Sequence, residues 1–153
     1  MIPPIGSSRR PSPDISAAVI VAHPDDETLW PGGMILAHPD WQWFILGLCR
    51  ANDADRAPKF WRALDQMNAM GNLADLDDGP EQKPLSDSII RQTIISFLPH
   101  TKFDIILTHS PEGEYTRHLR HEEVSRAVVD LWNKQEISTK KLLMFAYEDG
   151  GKK

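Results

Sequence analysis

Two short segments carry the side chains best suited to chemistry. Ala22-His23-Pro24-Asp25-Asp26-Glu27 follows directly on the apolar run Ala17-Ala18-Val19-Ile20-Val21, and far downstream comes His118-Leu119-Arg120-His121. The first segment crowds one imidazole and three carboxylates at the end of a strand-like run. Stripping water from that much negative charge without a counter-charge is expensive, and a divalent cation offsets it. In the second segment, the i, i+3 spacing puts both imidazoles on one face of a helix. A catalytic zinc takes three nitrogen or carboxylate ligands and keeps a fourth position open. Two histidines and one aspartate from the set His23, Asp25, Asp26, His118 and His121 meet that count. Imidazole ligands favour zinc over magnesium, which weakens a phosphoryl-transfer reading. The chemistry this points to is hydrolysis by metal-activated water.

The competing readings explain less. Helix capping accounts for one carboxylate, Glu27 serving a helix N-terminus, but not for three. His118 and His121, set among Arg117, Arg120, Glu122 and Glu123, would alone read as a solvated helix start; their place after a parallel strand, matching the first motif, raises them. Ala37-His38-Pro39-Asp40 repeats the first letters of the motif but precedes a strand, so it reads as a helix-to-strand loop. His109 closes a strand and is either a pocket residue or a buried, hydrogen-bonded one.

These groups need elements to position them. Ala17–Ala22 reads as a central strand, apolar on both faces as in parallel sheets covered by helices. Thr28–His38 is a helix weakened by Gly32-Gly33, and Trp41–Cys49 a second strand. Pro58–Met70 has helical spacing, with Gly71 as its stop. Asn72–Leu85 reads as a short edge strand or loop, and Ser86 caps the next helix. Phe103–Thr108 is a strand, His109–Arg117 a loop, a helix resumes near His118, and Leu142–Tyr147 is the last strand. Strands alternating with helices predict an α/β three-layer sandwich, a mostly parallel sheet with helices on both faces. Sites in such sheets lie beyond the carboxyl ends of the strands, where both motifs sit.

The 153 residues, 41% hydrophobic and 25% charged, suit one globular domain. A net charge of −5 without clustered Lys and Arg argues against a nucleic-acid partner. The segment 1–16, rich in Pro and Ser, is expected to be a loose leader, with a single domain over 17–153. It lacks the apolar core of a signal peptide, no stretch is long enough to span a bilayer, and the single Cys49 makes no internal disulfide. A cytoplasmic setting is therefore expected. No glycine-rich dinucleotide fingerprint and no Gly-x-Ser-x-Gly elbow is present.

Taken together, Ala22-His23-Pro24-Asp25-Asp26-Glu27, Gly113-Glu114-Tyr115-Thr116 and His118-x-x-His121 resemble the PIG-L/LmbE family of zinc-dependent N-deacetylases. Arg62-Ala63-Leu64-Asp65 is similar to that family's second helix. The resemblance implies a Rossmann-like sandwich and a Zn2+ cofactor, or another divalent transition metal, held by His23, Asp26 and His121. It makes Asp25 the general base and His118 the group that steadies the oxyanion and helps protonate the leaving amine. Arg56, Glu27 and Trp30 fall on the substrate side. The implied reaction removes an acetyl or related acyl group from an N-acetylglucosamine-type amino sugar; the alternative is an inactive metal-stabilised sugar-binding or assembly module. Homo-oligomerisation stays open. The chain departs from the family at Arg120, where many relatives carry an aspartate that supports the neighbouring imidazole. It also stops at Gly150-Gly151-Lys152-Lys153, earlier than is common.

Overall fold

The structure, a computed structural model, describes residues 14–147. The expected leader up to residue 13 and the end of the chain from residue 148 lie outside the described residues, and Ser16 already belongs to the first strand. In chain order the elements are β1 (Ser16–Val21), α1 (Asp26–Leu29), α2 (Gly32–Ala37), β2 (Gln42–Cys49) and α3 (Arg56–Met67). They continue with β3 (Met70–Leu76), α4 (Asp87–Phe97), β4 (Lys102–Thr108), α5 (Leu119–Asn133) and β5 (Ser138–Met144). The five strands form one sheet in the order β3-β2-β1-β4-β5, and every neighbouring pair is parallel.

The alternation of side chains along the central strand builds two cores. Ala18 and Ile20 of β1 pack with Ile90 and Ile94 of α4 and Val124, Val128 and Leu131 of α5. Ala17, Val19 and Val21 face the other way, toward Ile35 of α2 and Phe60, Leu64 and Met67 of α3. The result is the expected three-layer α/β sandwich. Ile20, Ile45, Leu46 and Ile106 are all fully buried, each contributing about 1.5–3 kcal/mol through removal of apolar surface from water.

Three local readings are corrected. The expected helix over Thr28–His38 is two short helices, because Pro31 has no N–H to continue the first. The helix read over Pro58–Met70 is α3, which ends at Met67 because the left-handed backbone of Asn68 (φ 52°) stops it, and not at Gly71. Gly71 lies inside β3, where a Cβ would strike the Ile45 carbonyl oxygen and the Leu64 side chain. The last strand begins at Ser138 and ends at Met144. Its first half, Ser138-Thr139-Lys140-Lys141, is polar because β5 is an edge strand facing water.

Ser86 does cap α4, its side chain accepting from the Ile89 N–H. Among the described residues no helix is long and apolar enough to cross a membrane.

Candidate metal centre

The chain leaves β1 toward β2 on one side and later returns to place β4 on the other. This is a topological switch point, where an open α/β sheet leaves a crevice beyond its strand ends. Thr108 Oγ1 donates to the Ile20 carbonyl at 2.8 Å, closing the two strands together at that end.

Beyond β1 the backbone turns sharply. The His23 N–H donates to Asp26 Oδ2 at 2.9 Å, and Asp25 adopts φ 111°. A non-glycine residue in such a conformation costs of order 1–3 kcal/mol, so surrounding structure must hold it. Glu27 supplies part of that hold by accepting the Asp25 N–H at 2.9 Å. Glu27 is 1% exposed and does not line the cleft over His23 and His121; it borders a neighbouring recess with Asp25 and Arg56. Burial raises its carboxyl above the usual range.

Beyond β4, His109 is fully buried. Its Nε2 accepts the Ala22 N–H at 3.0 Å and its Nδ1 lies 2.8 Å from Glu114 Oε1. Both ring nitrogens thereby have partners, the Ala22 contact matching an Nδ1–H tautomer, and Nε2 also lies 3.4 Å from Asp26 Oδ2. Gly113 (φ 81°) makes the turn that brings Glu114 back, since a Cβ there would collide with the Thr116 carbonyl. His118 then occupies the N-cap of α5, and His121 lies in its first turn.

The two segments converge. His23 Nδ1 and His121 Nε2 are 3.2 Å apart, and Asp26 Oδ2 lies 3.4 Å from each. Each imidazole of this triangle has a carboxylate on its far nitrogen. Glu114 Oε2 is 3.0 Å from His121 Nδ1, and Asp78 Oδ1 is 3.1 Å from His23 Nε2. Such carboxylate–histidine pairs fix ring tautomer and plane, turning the near nitrogen's lone pair inward. Overlapping groups here, His23 with His118 and His121, and Asp26 with His109 and His121, bring their donor atoms close enough to hold a metal ion.

The electrostatics follow from the crowding. Burial alone would raise the Asp26 carboxyl, but the imidazoles of His109, His121 and His23 hold it well below the usual range. Glu114 is likewise burdened by burial yet brought down to about 2 by His109 and His121. Burial disfavours the His121 cation, but Asp26 and Glu114 more than compensate and raise it to about 9. His118 is lowered by burial and by the neighbouring His121 and His23, and its Nδ1 is buried without a partner. Its ring centroid lies 4.5 Å from that of His121 and 4.8 Å from that of His23.

A cleft of about 490 Å³ opens over the triangle. Asp25 stands at its rim with a side chain 66% exposed and Arg56 Nη1 3.9 Å away. Burial of its inner part and the charge of Asp26 raise its carboxyl above the ordinary value. Trp30 lines the cleft and stacks against Tyr115 at 6.1 Å. Cys49, adjacent to His23 and Asp78, is pushed up to about 12 by burial and stays a neutral thiol.

Several residues of the site went unassigned in the sequence. Asp78 sits in a stretch read as edge strand or loop, with no periodicity to mark it. Arg50, which pairs with Asp78 at 2.8 Å, follows the end of β2, where the carboxyl-end rule could have found it. Glu114 falls inside the Gly113-Glu114-Tyr115-Thr116 motif, whose sequence alone gives it no role. Arg120 does not support His118; it is 1% exposed and turns to Glu123 and to main-chain carbonyls.

No protein-family model matches the chain, and a search of curated proteins returned no match. Among solved structures the chain is similar to GalB, the 4-carboxy-2-hydroxymuconate hydratase from Pseudomonas putida KT2440, at 15% identity and a TM-score of 0.51. The match covers 81% of this chain and 60% of the hydratase, so the chain spans less than two thirds of that protein's length. At this identity the likeness shows the fold alone, an α/β architecture shared with a larger enzyme.

Proposed function

We propose that the chain is a zinc-dependent N-deacetylase of the PIG-L/LmbE type, acting on the amide of an N-acetylglucosamine-like amino sugar or its conjugate. One observation carries the reading. Tetrahedral zinc with bonds of about 2.0–2.2 Å spaces its ligand atoms roughly 3.3 Å apart, and the edges among His23 Nδ1, Asp26 Oδ2 and His121 Nε2 are 3.2, 3.4 and 3.4 Å. Two neutral imidazoles and one carboxylate suit zinc, and each imidazole has the outer carboxylate that such ligands use. Zinc held there supplies Lewis acidity, drawing the pKa of water down to about 7 and polarising a carbonyl.

The remaining steps belong to the chain's own residues. Asp25, exposed at the rim one residue from a ligand, accepts the proton that water loses as its oxygen bonds to the amide carbon. His118, lowered in pKa by burial, acts as a neutral N–H donor to the oxyanion that forms. The carbon–nitrogen bond then breaks, and the proton held by Asp25 passes to the departing amine, leaving acetate and a free amino sugar. Arg56 and Trp30 line the cleft in which the sugar would lie.

The test is zinc content of the purified chain together with acetate release from N-acetylglucosamine and its glycosides. One zinc per chain and acetate release slowed about 100- to 10,000-fold by Asp25→Asn are expected. A zinc-loaded chain that releases no acetate from any of these sugars overturns the reading. One observation favours the second reading, sugar binding without turnover: His118 Nδ1 has no carboxylate behind it. Sugar binding to the zinc-loaded chain without acetate release would select it.

A further inference from the structure

Between the two ligand-bearing segments lies a third, residues 77–85, which supplies no corner of the triangle yet touches both others. Arg120 of α5 donates from Nε to the Asp77 carbonyl and from Nη2 to the Lys83 carbonyl, each at 2.7 Å. Its Nη1 donates to Glu123 Oε2 at 2.6 Å, and Glu123 Oε1 accepts the Leu85 N–H at 2.9 Å. Two side chains of α5, each 1% exposed, thus pin the segment at three points. Within it, Asp78 Oδ1 meets His23 Nε2 at 3.1 Å and the Gln82 amide at 3.0 Å. Its Oδ2 accepts from Arg50 Nε and faces Nη2 at 2.9 and 2.8 Å.

We propose that Arg120 and Asp78 form one positioning relay, through which the helix that supplies His121 also sets the ring plane of His23. The inference rests on the metal-centre reading and deepens it. An imidazole on a loop turns freely unless its second nitrogen is held, and removal of such an outer partner costs about 10- to 100-fold in metal affinity. Asp78 can hold His23 only if its own backbone is held. Arg50 Nη2 donates to the Asp78 carbonyl at 3.2 Å, and the planar guanidinium of Arg120, bonded to the Asp77 and Lys83 carbonyls and to a carboxylate at once, holds the backbone on either side with a fixed geometry that lysine does not reproduce. Neither residue touches the cation position, so both act through His23.

The experiment is a double-mutant cycle read by zinc affinity in competition with a chelator, using the full chain as wild type, Asp78→Asn, Arg120→Lys and the double variant. Each single change is expected to weaken zinc binding about 10- to 100-fold. The double variant should lose little more than the weaker single, because both cut the same path. Cobalt-loaded single variants should share one altered visible spectrum, which loss of general stability would not produce. Where Arg120→Lys does not fold, Glu123→Gln takes its place in the cycle. Unchanged zinc affinity in Asp78→Asn, or losses that simply add in the double variant, overturn the relay. A wild-type chain that binds no zinc overturns the metal centre and the relay together. Coupled losses without acetate release support the relay and overturn only the hydrolase reading.

Discussion

His23 Nδ1 and His121 Nε2 face each other at 3.2 Å, though ninety-eight positions of chain separate them. Two lone pairs at that distance repel unless a cation or a proton lies between. Burial disfavours the His121 cation, but Asp26 and Glu114 outweigh it and raise the imidazole to about 9, so the metal-free chain keeps a proton on His121.

A pH dependence follows with a definite sign. His121 holds its proton more tightly folded than unfolded, so its contribution to apo stability is complete below its unfolded value near 6.5. That contribution is lost as pH rises toward about 9. Thermal unfolding of the metal-free chain between pH 6 and 10 should show the decline, with zinc binding tightening over the same interval. Calorimetry in buffers of different ionisation enthalpy should register proton release on zinc binding.

Asp25→Asn should separate catalysis from binding. The side chain stands at the rim and forms no corner of the triangle, so zinc stoichiometry should be unchanged. The rate of acetate release should fall about 100- to 10,000-fold, the range of general-base contributions. Steady-state kinetics beside metal analysis checks both halves, and full activity would remove Asp25 from the role.

Glu114→Gln tests the other outer carboxylate. Its two oxygens divide between His109 and His121, so the amide must present an N–H to one imidazole that already donates. Zinc affinity should drop about 10- to 100-fold. In the apo chain the raised pKa of His121 should fall, which histidine proton shifts followed through a titration would report.

Gly71→Ala addresses packing away from the centre. A Cβ in β3 meets the Ile45 carbonyl oxygen and the Leu64 side chain, and overpacking of this kind typically costs about 1–3 kcal/mol. The urea midpoint should fall with the slope unchanged. Zinc affinity of the folded fraction should stay at the wild-type value.

The α/β sandwich was legible because buried parallel strands and amphipathic helices write themselves as local patterns: Ala17–Val21 apolar throughout, Phe60, Leu64 and Met67 at helical spacing. So was the crowd of ligand-type residues, since His23, Asp25 and Asp26 are adjacent and His118 and His121 share a helix turn. β5 was misplaced because an edge strand lacks the burial that makes a pattern. Pro31, and not the Gly32-Gly33 pair that follows it, divides α1 from α2.

What the amino-acid order determined by itself is the kinds of atom available and their local spacing. Only the tertiary structure decided that Asp78 stands behind His23, that Glu114 bridges His109 and His121, and that Arg120 grips the 77–85 segment instead of supporting His118. Orientation of an imidazole depends on partners brought in by the strand order, and the pairing of β1 with β4 joins segments that no local pattern connects. A lone pair's direction is a property of the assembled sheet and its loops, and no stretch of sequence carries it alone.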